Sequence, residues 1–231
     1  MAEALEILNN AVHRHLRLTA GPGIAHPHFV MVVLGEYPAA ASSCPIFFAK
    51  DAGTGEFYTA ALFGFEPGEI LFENGQREDG GDAIFRPLEL QRQGFFTSGE
   101  NIAIDTGHPR FGPAATIALF DDDGLASEAL RKIQTVLGQL HAGMDATRAF
   151  IAELLRLRLI EPIDISLRFD DGKQLRLDGL YTVSRDGLSD LPDEEVVRLF
   201  RKGYLQAAMC VTFSLNQIAV LAQRRNARLR A

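Results

Sequence analysis

The chain is predicted to adopt an α+β fold, because strand-like and helix-like patterns occupy different parts of its 231 residues. Short apolar runs separated by Gly and Pro turns fill the N-terminal half and indicate a mainly antiparallel sheet. From Ser127 onward, apolar residues recur at helical spacing. Strict alternation of apolar and polar residues within 163–183 adds a hairpin. We therefore expect this sheet and hairpin to pack with a long helix near 127–158 and with C-terminal helices.

The predicted strands are short runs of β-forming residues bounded by turn signals such as Gly53-Thr54-Gly55. They lie at Phe29–Leu34, Ile46–Ala49, Phe57–Phe65, Ile70–Phe72, Asn101–Asp105 and Thr116–Phe120. Residues 1–24 read as a polar lead-in with one or two helical turns. Neither half of the rest looks self-sufficient, so we expect a single domain over residues 25–231.

The long helix is predicted from an apolar face that includes Leu130, Ile133 and Leu137. Gly138 and Gly143 weaken its middle, so the pattern is compatible with one kinked helix or with two helices. The helix is expected to end before Pro162.

The hairpin has a register that the sequence can predict. A two-residue turn would oppose Leu167 to Arg176, whereas a three-residue loop pairs Leu167 with Leu175. Because one face of the hairpin must be apolar throughout, we predict the three-residue loop Asp170-Asp171-Gly172, with Gly172 in the left-handed conformation.

Two helices are predicted at the C-terminus. The first begins at Asp190-Leu191-Pro192-Asp193-Glu194, with Asp190 as its cap, and Gly203 stops it. The second is an apolar seam about 19 residues long over residues 204–222, with further apolar residues on its other faces. It is either a central core helix or a seam shared with a second copy or a protein partner.

Composition excludes several classes of protein. The formal net charge is −7, which disfavours binding to nucleic acid, although residues 223–231 carry four Arg and no acid. The two cysteines, Cys44 and Cys210, form no disulfide framework and are expected to be small buried residues in a reducing compartment. No signal peptide and no apolar run of membrane-spanning length is apparent. We therefore expect a cytoplasmic protein without a membrane span.

No motif names a reaction. The sequence has no nucleophile elbow, zinc-protease helix, Walker loop or dinucleotide-binding glycine motif, and we expect no cofactor. The run Asp121-Asp122-Asp123-Gly124 lacks the alternating ligands of a calcium loop and reads as a turn before the long helix.

A weak candidate metal site is formed by His26 and His28, whose rings would share one side of an extended segment. With Glu36 downstream they could mimic a two-histidine, one-carboxylate iron site. A solvated pair of loop histidines is the alternative.

Two polar segments are the candidate ligand-binding residues. Glu36 and Tyr37 follow an apolar strand and are stiffened by Pro38. Asp178 and Tyr181 flank Gly179 at the end of the hairpin. For both segments, structural hydrogen bonding is the alternative to a binding role.

These two segments also carry a resemblance to the SapC family of bacterial proteins, which spans roughly residues 25–225. No single piece is specific, but their order and spacing are. The matching pieces are residues 35–38, 44–51, 54–57, 61–64, 119–124, 147–150, 175–183, 191–195 and 213–215. The chain departs from the pattern at Gly94-Phe95-Phe96, where a Pro is expected before the aromatic residue.

The resemblance implies an association with bacterial surface layers, from which the family takes its name, and leaves surface association of this chain open. It supplies no catalytic residues that can be carried over. Our first hypothesis is therefore an accessory or protein-interaction protein without catalysis, forming a homo-oligomer or binding a protein partner through helix 204–222. The alternative is a protein that binds a small molecule or metal, or an enzyme, with a pocket near Glu36 and Asp178.

Overall fold

The computed structural model describes residues 5–19, 27–71 and 85–230, and in them the predicted α+β fold is confirmed. All named strand pairs are antiparallel. The strands are β1 Leu5–Ile7, β2 Arg17–Leu18, β3 Phe29–Met31, β4 Ile46–Lys50, β5 Phe57–Leu62, β6 Phe95–Ser98, β7 Asn101–Asp105, β8 Ile117–Ala118, β9 Ile160–Pro162, β10 Ile165–Arg168, β11 Gln174–Leu177 and β12 Leu180–Val183.

The helices are mostly short, apart from the long one near the middle of the chain. They are α1 Asn10–His13, α2 Tyr37–Ala41, α3 Leu88–Gln91, α4 Glu128–Arg156, α5 Arg185–Ser189, α6 Asp193–Arg201, α7 Tyr204–Ser214 and α8 Gln217–Leu229. Helix α4 is continuous, so Gly138 and Gly143 do not split it into two helices.

Backbone contacts cluster into two compact units, of which the first comprises residues 1–26 and 88–142. Strands β1, β7 and β6 form its three-stranded sheet in that order, and β2 pairs with β8. The predicted lead-in contains the helical turn α1 but also β1 and β2, which are too short to leave a periodic pattern. The buried core of this unit consists of Leu18, Phe95, Ile104, Leu119, Leu130, Ile133 and Leu137.

The second unit comprises residues 27–87 and 143–231, and its centre is a five-stranded sheet in the order β3-β5-β4-β12-β9. Successive residues of β4 point to opposite faces, as strand geometry requires. Phe47 belongs to a cluster with residues of the hairpin β10–β11 and of α8. Phe48 instead lies near the ring of Phe150 of α4, with 6.3 Å between the ring centroids. Both faces of the sheet are therefore covered.

The register predicted for the hairpin is confirmed. Ile165 pairs with Leu177 and Leu167 with Leu175, and Gly172 has a φ of 81° within a three-residue loop. The alternation of apolar and polar residues predicts this register, because a slip of one residue would expose every apolar side chain of one strand.

The prediction of one C-terminal helix over 204–222 is wrong in one respect, because the helix is interrupted between Ser214 and Gln217. The Ser214 hydroxyl donates a hydrogen bond to the Val211 carbonyl at 2.7 Å and accepts one from the Ile46 N–H at 2.9 Å. A buried serine that bonds back to the preceding turn competes with the regular helical ladder. The apolar pattern alone does not reveal this competition.

The predicted cap at Asp190 is also wrong. The helix begins at Asp193 after Pro192, and Asp190 lies at the C-terminal end of α5. Helix α5 was missed because it is a five-residue turn capped by Ser184. The predicted stop at Gly203, which has a φ of 75°, is confirmed.

Strand β7 has its predicted bounds and β4 extends one residue beyond them, whereas β3 and β5 end earlier than predicted. The run Ile70–Phe72 is not confirmed as a strand, since Ile70 and Leu71 have no strand assignment and Phe72 lies outside the described residues. The predicted strand over 116–120 is reduced to β8. Cys44 is buried as expected, whereas Cys210 is only half-buried.

Within the described residues, one helical stretch, Tyr204–Leu229, is long and apolar enough by length and composition to cross a membrane. The core helix of a globular protein passes the same test. This stretch also carries Arg225, which is buried and ion-paired to Glu66 and Glu69. The absence of a membrane span stays a prediction.

Candidate functional site

Glu36 lies in a short 3-10 turn that follows β3, and its side chain is buried. One carboxylate oxygen accepts a hydrogen bond from the Val33 N–H at 2.9 Å. This bond satisfies a backbone donor at the start of the turn, so Glu36 makes a structural hydrogen bond of the kind that the sequence left open as the alternative.

Tyr37 is completely buried, and its phenol O–H donates to Thr59 Oγ1 at 2.9 Å. The Thr59 hydroxyl in turn donates to the Val32 carbonyl at 2.7 Å. Burial raises the pKa of the Tyr37 phenol well above its usual value. The phenol therefore stays neutral at physiological pH and acts as a structural hydrogen-bond donor.

The second polar segment lies in a different environment. Asp178 is exposed and forms an ion pair with Arg176 Nε at 2.6 Å, while Arg176 also contacts Asp164. Exposed ion pairs of this kind contribute little to stability or specificity. The Tyr181 ring meets Phe57 edge-on, with 4.9 Å between the centroids, and the ammonium of Lys50 lies 5.4 Å from the Tyr181 centroid.

The sheet brings the two tyrosines, but not the two carboxylates, towards a common face. Thr59 pairs with Phe48 and Phe48 pairs with Tyr181, so these three residues form one row across β5, β4 and β12. Directly paired residues point to the same face, and neighbouring strands lie about 4.8 Å apart. Tyr37, which bonds to Thr59, therefore lies over the face that also carries Tyr181.

A cavity of about 340 Å³ lies next to this row, where β3 ends and β5 begins. Ligand pockets usually have volumes of this order and mainly apolar walls. The cavity is bordered by three parts of the chain. Its lining residues are Met31, Val32, Val33, Asp51, Thr54, Glu56, Phe57, Tyr58, Thr59, Met144, Thr147, Arg148 and Ile151. None of the four predicted ligand-binding residues is in this lining.

The residues of α4 that line the cavity recur at helical spacing. Met144, Thr147, Arg148 and Ile151 lie at positions i, i+3, i+4 and i+7, so they share one face. In the sequence, Met144 and Ile151 continue the apolar face that predicts the helix, and Thr147 and Arg148 fall in the piece 147–150 that resembles the SapC family, without a binding role being predicted for them. The signal was present, since two polar residues interrupt an otherwise apolar helical face.

Two contacts hold this part of α4 against the end of β3. The Leu34 N–H donates to Thr147 Oγ1 at 2.8 Å, and that hydroxyl donates to the Gly143 carbonyl at 2.6 Å. Gly143 itself has no side chain, and a Cβ built there would lie 2.5 Å from Cγ2 of Val33. The glycine thus permits a close approach of helix and strand that positions the cavity wall.

Two hydroxyl groups of the lining are already engaged in hydrogen bonds, those of Thr59 and Thr147. Thr59 donates to Val32 and accepts from Tyr37, and Thr147 donates to Gly143 and accepts from Leu34. The lining therefore presents mainly apolar surface.

The predicted metal pair cannot be assembled from the described residues. His26 lies outside them, and His28 is half-buried, with its carbonyl accepting a hydrogen bond from the Phe63 N–H. Among the residues that the structure describes, no three His, Cys, Asp or Glu side chains cluster to hold a metal ion. The metal site stays a prediction.

Replacing Tyr37 with Phe tests the hydrogen bond behind the cavity. We expect the substitution to lower the free energy of unfolding by about 1 kcal/mol, the usual net contribution of one hydrogen bond. Thr59 keeps its bond to Val32, so no buried donor is left without an acceptor. Urea unfolding measures the effect, and a loss several times larger would show that the phenol has a further partner. Tyr58→Phe, at a partly exposed tyrosine of the same strand, is the control.

A comparison with protein families supports the resemblance that the order and spacing of the sequence pieces indicated. No curated protein and no solved structure gives a significant match to the chain. The model of the SapC family matches residues 8–221 of the 231 residues. The chain therefore belongs to the SapC family.

Proposed function

We propose that this SapC family member is an accessory protein that acts by protein–protein interaction and not by catalysis. The observation that supports this proposal is a set of exposed apolar side chains on two consecutive helices. Val197 and Phe200 of α6 are 46% and 59% exposed, and Phe213 of α7 is 63% exposed. Exposed aromatic side chains of this size are enriched in the cores of protein interfaces.

Helix α7 is apolar on more sides than packing within its own chain requires. Ala208 and Val211 are buried on its inner side, where the helix contacts α2. Leu205, Met209 and Phe213 follow one another at spacings of four and form a second stripe, half-buried in its first two residues. A helix that docks on a single protein core needs one apolar stripe. The second stripe is therefore available to a partner.

Helix α6 is connected to α4 by ion pairs, and its exposed apolar residues lie on a different side of the helix from those pairs. Glu195 and Arg198 of α6 form ion pairs with Arg156 and Glu153 of α4, respectively. Val197 and Phe200 lie at different angular positions of the helix from these charges. A fixed helix loses little conformational freedom on binding, which favours association.

The fate of the predicted polar residues supports a function without catalysis. Glu36 and Tyr37 are buried and engaged in hydrogen bonds to Val33 and Thr59, and Asp178 is in a surface ion pair. A general base or nucleophile needs access to its substrate. Glu36 and Tyr37 therefore serve the fold, and the exposed apolar side chains of α6 and α7 are the feature that best supports a function.

We propose a second copy of the chain as the occupant of this surface, since an isologous dimer buries the same apolar patch twice. Phe213→Asp is expected to convert an oligomer into a monomer, because a charge at the centre of an interface must be desolvated without a partner. Light scattering coupled to size-exclusion chromatography, at several protein concentrations, measures the change.

The matched control is Leu155→Asp, which places the same charge at an exposed apolar position of α4. This variant is expected to keep the wild-type mass. A wild-type chain that remains monomeric at the highest concentration would contradict self-association through α6 and α7.

A further inference from the structure

The cavity between the end of β3, the β4–β5 loop and α4 has a chemistry that nothing in the family match assigns. Its volume, about 340 Å³, is roughly twice that of the ~150 Å³ apolar cavity that accommodates benzene in an engineered protein. A six-membered ring with a short chain and head group fits a space of this size. Met31, Phe57, Met144 and Ile151 line it, and the two methionines give it adaptable walls.

The polar groups at the mouth carry both signs of charge. Glu56 is exposed, and in the described part of the chain its carboxylate has no hydrogen-bond or ion-pair partner. Arg148 donates from Nη1 to Asp145 at 2.8 Å, and its other guanidinium nitrogens have no partner among the described residues. The mouth therefore offers a free acceptor for an ammonium group and free donors for a carboxylate.

The loop that carries Glu56 is stabilised by hydrogen bonds to Asp51. Asp51 Oδ1 accepts hydrogen bonds from the backbone N–H groups of Gly53 and Thr54 and from the Thr54 hydroxyl. The Lys50 ammonium lies over the Phe57 ring, 5.1 Å from its centroid, and the Asp51 carboxylate of the same loop also lines the cavity. Glu56 is thus presented at the cavity by a constrained hairpin.

We propose that this cavity binds a zwitterion with a large apolar side chain, the chemistry of a free apolar amino acid. The side chain occupies the apolar wall, the ammonium group faces Glu56, and the carboxylate faces Arg148. This site is separate from the exposed surface of α6 and α7, so binding here and self-association there are independent properties.

The test uses the full-length ¹⁵N-labelled chain and three probes that share a phenyl ring. Phenylalanine carries both charges, phenethylamine lacks the carboxylate, and 3-phenylpropionate lacks the ammonium group. We expect phenylalanine to shift the amide resonances of residues 31–33, 54–59 and 144–151. Each singly charged probe should bind about tenfold more weakly, as when one charged hydrogen bond is lost.

Two charge variants assign the contacts. Glu56→Gln should weaken the binding of phenylalanine and phenethylamine and leave that of phenylpropionate unchanged, whereas Arg148→Gln should weaken the binding of phenylalanine and phenylpropionate. Glu194→Gln and Arg228→Gln, at exposed positions away from the cavity, are the matched controls. Met144→Trp should fill the cavity and abolish binding, while Leu155→Trp on the same helix should not.

Three results would overturn the proposal. The first is the absence of any resonance shift at millimolar phenylalanine. The second is equal binding of all three probes, which would mean a site for the ring alone. The third is tighter binding of an apolar dipeptide with both ends blocked, which would make the cavity a site for a protein segment. None of these results depends on the oligomeric state.

Discussion

Replacing Gly143 with Ala is expected to destabilise the protein, although alanine is the better helix former. The new Cβ would lie 2.5 Å from Cγ2 and 2.8 Å from Cβ of Val33. Valine is branched at Cβ and cannot turn away from this contact, so helix and strand must separate. Overpacking of this kind costs about 1–3 kcal/mol, against a gain of about 1 kcal/mol in helix propensity. The difference between these two terms is a net loss of about 1 kcal/mol in the free energy of unfolding, which urea unfolding measures.

Gly138 of the same helix provides the matched control. A Cβ at this position would meet nothing within 4 Å, so Gly138→Ala is expected to stabilise the protein by up to about 1 kcal/mol. Val33→Ala should recover part of the loss in the Gly143→Ala background, because it removes the nearest methyl groups. If both glycine variants were stabilised alike, the close approach of α4 to Val33 would be disproved.

These two glycines show what the sequence could and could not predict about the fold. Helix propensity treats them as equal weak points, and both lie in an unbroken helix. Only the packing partner distinguishes them, and Val33 is 110 residues away from Gly143 in the chain. The hairpin register, in contrast, was predictable because Leu167 and Leu175 belong to one local alternating pattern.

The candidate site likewise depends on contacts between distant parts of the chain, which local sequence patterns do not show. Glu36, Tyr37, Asp178 and Tyr181 stood out as polar residues beside strands, but the sequence does not show whether such groups are free or satisfied. Their partners, such as Thr59 for Tyr37, become known only once the strands are paired. The cavity was not predicted, since its wall combines residues 31–33, 51–59 and 144–151, which no local pattern connects.

Replacing Arg225 is expected to cause the second large loss of stability. The sequence does not distinguish this residue from the other arginines of the basic C-terminal tail. The residue is buried, with Nη2 3.2 Å from a Glu66 carboxylate oxygen and Nη1 3.3 Å from one of Glu69. Its guanidinium carbon lies 4.3 Å from the centroid of the Phe169 ring. A buried guanidinium with two carboxylates and an aromatic face connects α8 to the loop after β5 and to the hairpin.

Arg225→Met is therefore expected to lower the free energy of unfolding by about 3 kcal/mol at neutral pH, since two partly buried carboxylates lose their cation. The pH dependence follows from Glu66, whose pKa is lowered from its ordinary 4.5 by hydrogen bonding to Lys173 and by the charge of Arg225. A lowered pKa in the folded state contributes stability above pH 4.5, and this stability is lost as the pH falls through the lower folded value. The difference in the free energy of unfolding between wild type and Arg225→Met should consequently become smaller below pH 4.5.

The control for this pH dependence is Arg228→Met, which removes an exposed arginine from the same helix and should change stability little at any pH. Arg225→Lys keeps the charge but loses the planar fork and the stacking on Phe169, so it should fall between wild type and Arg225→Met. Urea unfolding at pH 7 and at several values below pH 4.5 measures all four proteins. If Arg225→Met and Arg228→Met were equally stable at pH 7, Arg225 would have to be solvated, and the contact between α8 and Glu66 would not form in solution.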